Sequence, residues 1–393
     1  MISDERNPSA VKHSKHSNLV KPLTGNFARS EWAIVGGYCV TIKLLADQLI
    51  KALSPQYKCA YVDASHNDEI TSLPGRLASD AVLEYTDQLN YSQFNFNSTI
   101  TPFKQRELFS DIDIVIVNGN HQQAKAQVVI IDINKQASLQ KRVTQLTNVE
   151  LILLAENADD VFDFVKEAVP HWQQIPVYKL SDTEKIIAFF TGKLKANEPK
   201  LNGLVLAGGK SVRMGFDKGT VNWYGKEQRF YMADMLKTYC NNVFISRSSV
   251  QQNTGDYIAI TDTFINLGPF GAILSAFREN PNTAWLVVAC DLPLLDDNTL
   301  KHLIINRSST SIATAYQNGF DGLPEPLITI WEPKSYPLLL SYLAQGLSCP
   351  RKVLINNDTK LLNAPDATAL TNVNTPEDLQ KIKDILHQKI LTT

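Results

Sequence analysis

Residues 203–218 constrain the fold of this 393-residue chain more than any other stretch. Gly203 to Ala207 is short, apolar and β-prone, as expected of a parallel strand covered on both faces, and it runs directly into Gly208-Gly209. Glycines there leave no side chains in the way of a ligand approaching the backbone. Lys210, Arg213 and Lys218 follow within one loop, so a polyphosphate over Gly208 and Gly209 would meet backbone N–H donors and fixed positive charge together. A glycine pair after a strand is by itself most often a tight turn. The whole string from Leu204 to Lys218 is far more specific.

Strands and helices alternate after this loop, which predicts a doubly wound sheet. Helices are expected over 228–239 and 269–278, and strands over 242–246, 257–261 and 284–289. The run at 284–289 has no polar alternation, which predicts a central strand with Asp291 just past its carboxyl end, where open α/β sheets bind ligands. Asp262 occupies the same kind of position after the 257–261 strand. A lone aspartate there is more often a turn or helix cap. Asn372 and Asn374 flank Val373 before Thr375-Pro376-Glu377-Asp378, and their alternation would place both amides on one face. The same string also reads as a helix start, with Thr375 as cap and Pro376 in the first position.

The other half is predicted to be a second α/β domain. Strands are expected at 32–35, 59–62, 112–117, 128–133 and 150–155, and helices at 42–53 and 158–168. Gly37 to Leu44 falls in register with a phosphate loop, but Ile42 stands where the second glycine belongs and Leu44 where a hydroxyl would hold magnesium. Lys43 reads as a solvated cation, and His66 and His121 as ordinary polar loop residues. Residues 1–30 are polar and predict a loose tail, with His13 and His16 solvated. The expected organisation is therefore a tail at 1–30, a domain at 31–192, a linker at 193–201 and a second domain at 202–393.

Composition excludes several classes. A net charge of −2 gives no reason to expect nucleic acid or a membrane as partner. The five cysteines form no Cys-x-x-Cys pair, so neither a disulfide framework nor a zinc site is indicated, and a cytoplasmic location is expected.

Leu206-Ala-Gly-Gly-Lys-Ser-x-Arg-Met-Gly-x-Asp-Lys218 resembles the signature of the molybdenum cofactor guanylyltransferases, and the Gly268-Pro-x-Gly, Cys290-Asp-Leu-Pro293 and Asn372–Leu379 segments resemble other motifs of that family in the same order. The resemblance covers residues 202–388. It implies a Rossmann-like nucleotidyltransferase that moves GMP from GTP to molybdopterin or Mo-molybdopterin with Mg²⁺. By resemblance Lys218, Arg213 and Asp291 are catalytic, with Asp291 as metal ligand. Leu206, Ala207, Gly208, Gly209, Lys210, Lys218, Ser246, Asp262 and Asp291 would bind GTP, and Asn372, Asn374 and Arg351 the acceptor. Molybdoenzyme apoproteins or their chaperones are implied as further partners. Residues 31–192 resemble, in degenerate form, the GTP-binding protein of the same pathway. Two other readings stay open: a cytidylyl or sugar-phosphate transferase, and a non-catalytic scaffold that binds and delivers the cofactor.

Overall fold

The chain is seen in a computed structural model that describes residues 18–65, 73–207, 218–248, 253–319 and 321–391, the stretch 387–391 as backbone only. In chain order the first half contains β1 (Glu31–Val35), α1 (Cys39–Leu53), β2 (Cys59–Val62), β3 (Leu83–Asp87), β4 (Ser92–Phe96), α2 (Pro102–Leu108) and β5 (Ile114–Asn118). It continues with β6 (Ala126–Ile131), α3 (Gln136–Gln140), β7 (Val149–Leu154), α4 (Asp163–Ala168), β8 (Val177–Lys179) and α5 (Thr183–Ala196). The second half contains β9 (Leu201–Leu206), α6 (Gln228–Lys237), β10 (Val243–Arg247), β11 (Ile258–Thr261), α7 (Pro269–Glu279), β12 (Ala284–Ala289) and α8 (Asp297–Ile305). It ends with β13 (Ala313–Gln317), β14 (Pro324–Trp331), α9 (Ser335–Ala344), α10 (Pro350–Ile355), β15 (Thr359–Leu362) and α11 (Pro376–Leu391).

The first sheet has the order β2-β5-β1-β6-β7-β8 and is parallel throughout. Its central strands are buried along their whole length, which is why they read as unbroken apolar runs. The second sheet has the order β11-β10-β9-β12-β14-β13-β15, and in it β14 alone runs against its neighbours. This is the α/β, two-sheet architecture expected from the alternation.

Several local expectations need correction. The helix expected from Ile42 starts at Cys39, which shortens the loop after β1 to Gly36–Tyr38 and places Ile42 fully inside the core. The helix expected from Ala158 starts only at Asp163, because Phe162 is extended. The β3–β4 hairpin has no counterpart in the sequence reading, since its alternation faces solvent on both sides. Residues 26–30 are not loose. Glu31, 2% exposed, accepts the backbone N–H groups of Asn26, Phe27 and Ala28, and Phe27 and Ala28 are buried.

The two sheets meet at their amino ends. Arg29, just before β1, donates to the Pro281 carbonyl and the Asn282 side chain, just before β12. Lys58, before β2, pairs with Asp358, before β15. Lys334, after the antiparallel β14, lies 2.6 Å from Asp113, before β5. The carboxyl ends of the parallel strands, where ligands bind in such sheets, therefore point to opposite poles of the molecule.

Candidate functional site

Asp291 lies beyond the carboxyl end of β12, as expected from a strand with no polar alternation. Its backbone carbonyl accepts from Val373 N–H at 2.9 Å, which brings the segment before α11 against it. The segment is anchored from the other side by a small apolar cluster of Leu294, Val373 and Ile382, with Trp223 and Leu379 packed on it. Asn372 and Asn374 are thereby carried to the Asp291 edge.

Lys218 is at the same place. Its ammonium donates to Asn374 Oδ1 at 2.9 Å and lies 3.8 Å from Asp291 Oδ2. Asp291 Oδ1 and Asn372 Oδ1 are both buried without a hydrogen-bond partner. Buried oxygens without partners are costly, so these two acceptors, with Lys218 beside Asp291, suit a hydrogen-bond donor or a hard cation. Burial pushes the Asp291 carboxyl up, Lys218 opposes it, and Glu325 adds to it.

Sequence reasoning misses Glu325. It follows Pro324 at the start of β14, and continuing the Val288↔Ile328 register places it opposite Asp291. It is 5% exposed and sits in an apolar strand between two prolines, and an acid in that setting is the available signal. Arg351 lies 3.4 Å from Glu325 and 3.6 Å from Asp321, so its guanidinium is already engaged by carboxylates, where acceptor binding is expected of it.

Ser246 and Asp262 come together at the other end of the edge. The buried Ser246 hydroxyl donates to Asp262 Oδ1 at 3.1 Å. Burial pushes the Asp262 carboxyl up to about 6, with the Ser246 hydrogen bond opposing the shift. Three strand steps separate β11 from β12, about 14 Å at the usual spacing. Leu206 closes β9 between them, beside Ser246 and Ala289, and Ala207 is buried next to it. Gly208, Gly209, Lys210 and Arg213 lie outside the described residues.

Two motif segments have structural duties. Thr375 Oγ1 accepts from Asp378 N–H, and Asp378 accepts from the Asn374 and Thr375 N–H groups, a reciprocal cap for α11. In the Gly-Pro-x-Gly stretch, a Cβ at Gly271 would sit 2.1 Å from the Phe264 carbonyl oxygen, so only glycine lets α7 approach that loop. His302 is held by Tyr316 at 3.0 Å, and among the described residues no metal-holding cluster of three His, Cys, Asp or Glu side chains occurs.

At the first sheet's carboxyl edge, Lys43 is not merely solvated: it lies 3.5 Å from Asp63, although 57% exposed. His121 is only 15% exposed and contacts Asp63 and Cys39. His13, His16 and His66 lie outside the described residues. No described helix is long and apolar enough to cross a membrane.

Residues 203–360 match the family of MobA-like NTP transferase domains. A Synechocystis protein named molybdenum cofactor biosynthesis bifunctional protein is 35% identical over 201 residues, covering 50% of this chain and 58% of the relative. This chain thus spans less than two thirds of that relative's length. A Pseudomonas putida molybdenum cofactor guanylyltransferase is 27% identical over 191 residues, covering 46% of this chain and 97% of that protein. Among solved structures, a molybdopterin-guanine dinucleotide biosynthesis protein A from Archaeoglobus fulgidus is 20% identical with a TM-score of 0.41, covering 48% of this chain and 99% of that one.

Proposed function

With residues 203–360 forming a MobA-like NTP transferase domain, we propose that the chain transfers GMP from GTP to the terminal phosphate of molybdopterin or Mo-molybdopterin, releasing pyrophosphate. The observation that carries this reading is Asp291, a buried carboxylate with one unpartnered oxygen and Lys218 3.8 Å from the other, with the segment that carries the unpartnered Asn372 oxygen bonded to its backbone. Those oxygens fit Mg²⁺, a hard cation that prefers carboxylate and carbonyl ligands. Bound there, Mg²⁺ would supply positive charge to the phosphates of the nucleotide.

The chain's own residues do the rest by placement. The acceptor phosphate oxygen is already anionic, so its attack on the α-phosphorus forms one P–O bond and breaks another without a general base. Two anions must instead be brought together, and Lys218 is held for that purpose between Asn374 and Asp291. Asp262, about 14 Å along the sheet edge, stands where a guanine base could offer N–H donors to a carboxylate. Asn372 and Asn374 remain the acceptor-side candidates, and Asn374 would release Lys218 to phosphate as substrate binds.

The test incubates purified full chain with Mg²⁺, molybdopterin and each of the four ribonucleoside triphosphates in turn. Dinucleotide and pyrophosphate are expected with GTP. Product with CTP alone would replace the guanylyl reading by a cytidylyl one, and no product with any triphosphate would overturn nucleotidyl transfer to this acceptor.

A further inference from the structure

At the carboxyl edge of the first sheet, a thiol, an imidazole and a carboxylate converge where β1 meets β5. Cys39 is the first residue of α1, His121 follows β5 and Asp63 follows β2. Cys39 Sγ is 3.4 Å from His121 Nε2, and the same nitrogen is 3.8 Å from Asp63 Oδ1. Tyr61 donates to Asp63 at 2.9 Å, and Lys43 approaches it at 3.5 Å. Burial opposes charge on Asp63, but the neighbouring Asn118 amide, the Tyr61 hydroxyl, the Ala64 N–H and Lys43 together hold its carboxyl below the usual range.

The surroundings of the thiol are polar. Asn118 is completely buried, and its side-chain amide faces Asp63 and Tyr61, closing the polar wall behind the thiol. The N-cap of α1, Tyr38, contributes no side-chain cap, so the first-turn N–H groups are open to a ligand. The site thus offers donors around a thiol, while Asp63 repels an anion. A small uncharged electrophile with an oxygen leaving group fits this set better than a phosphate does.

We propose that Cys39 is a nucleophilic thiol that reacts with small hydroperoxides, with His121 as its base and then its acid. His121 takes the thiol proton, and the sulfur attacks one peroxide oxygen. An S–O bond forms as the O–O bond breaks. The departing hydroxide takes the proton back from His121, steadied by the first-turn N–H groups of α1. Sulfur is oxidised by the same two electrons that reduce the peroxide, leaving a Cys39 sulfenic acid and water. Asp63, 3.8 Å from the nitrogen that takes the proton, balances its transient charge.

The chain carries its own reference. Cys349 is exposed at the start of the short helix α10, whereas Cys39 is half-buried beside His121 and Cys290 is buried. The experiment treats the full chain with hydrogen peroxide at neutral pH, traps sulfenic acid with dimedone and measures each cysteine by mass spectrometry over time. Cys39 is expected to label about tenfold faster than Cys349 despite its lower exposure. His121→Gln should bring Cys39 down to the Cys349 rate while leaving Cys349 unchanged. Equal rates in the unsubstituted chain, or an undiminished Cys39 rate in His121→Gln, would overturn the assignment. Should that variant unfold, buried Cys290 becomes labelled, and the Cys39 to Cys349 ratio in the unsubstituted chain decides alone.

Discussion

The two carboxyl edges occupy the same position in similar folds, yet they are furnished for different chemistry. In the second half, the edge holds Lys218 against Asp291 with Asn372 and Asn374 on the adjoining segment, a set that the proposed reaction would use for phosphate and a hard cation. In the first half, α1 begins only three residues after β1, at Cys39, and the residue standing for the second glycine of a phosphate loop is core. Too little loop remains to wrap a triphosphate, and Asp63 adds charge of the wrong sign. What decides chemistry at such an edge is the length of the first loop and the charge on the neighbouring strand ends. The amino-end contact adds a second lesson: neither edge can lend a residue to the other within one chain.

The sharpest way to break the comparison is Asp291→Asn. If the second edge alone carries catalysis, this change should cut turnover about 10³-fold, equivalent to about 4 kcal/mol of barrier. Folding should hold, because the amide fills the same space without the desolvation that raises the carboxyl's proton affinity. Initial rates of pyrophosphate release and a thermal melt check both halves of the expectation. Turnover within a few fold of the original would move the metal assignment elsewhere.

Next in size is the joint between the halves. Lys334 and Asp113, 9% and 10% exposed, form a buried ion pair across it. Lys334→Ala should cost about 3 kcal/mol, since the lost partner leaves a carboxylate in a poorly solvated place. Burial already pushes Asp113 up while Lys334 opposes it. A drop in urea midpoint, largely reversed by adding Asp113→Asn, would confirm the pair. An unchanged midpoint would mean that the opposed arrangement of the two edges is held by other contacts.

Much of this was legible in the sequence, and for a physical reason. A strand buried on both faces has no polar alternation, so β12 and the position of Asp291 could be read directly. Thr375 as the cap of α11 followed from side-chain chemistry acting over a few residues. Glu325 depends on a partner far along the chain, and the strap at 26–30 does so in part. Glu325 gains its place only when β14 runs against β12, and the strap joins the nearby Glu31 carboxylate to the distant Asn282 that Arg29 reaches. The cluster of Cys39, Asp63 and His121 is assembled from three separate strand ends, and no local pattern announces it.

Asp262 gives a smaller, pH-dependent effect at the nucleoside end. Its carboxyl is pushed up to about 6 by burial, from 3.8, so the folded chain binds a proton that the unfolded chain has already lost between those values. Its contribution to stability is therefore greatest below 3.8 and is lost as pH rises through about 6. The proposed recognition of base N–H groups would run the other way, because it needs the ionised form. KM for GTP should fall as pH rises through about 6, and Asp262→Asn should flatten that profile while raising KM about tenfold at neutral pH. A profile indifferent to the substitution would detach Asp262 from the nucleotide.

The smallest effect is expected from restoring one missing part of the first edge. Leu44 is 59% exposed on α1, at the position where a phosphate loop carries its magnesium-binding hydroxyl. Leu44→Ser supplies the hydroxyl at little cost, since a half-exposed side chain has little packing to lose. The three-residue loop between β1 and α1 is unchanged by it, and Ile42 still occupies the core. Nucleotidyl transfer should stay within about twofold, and calorimetry should detect no additional nucleotide site. Should a second GTP site appear, loop length would not be what separates the two edges, and the hydroxyl alone would have been the missing part.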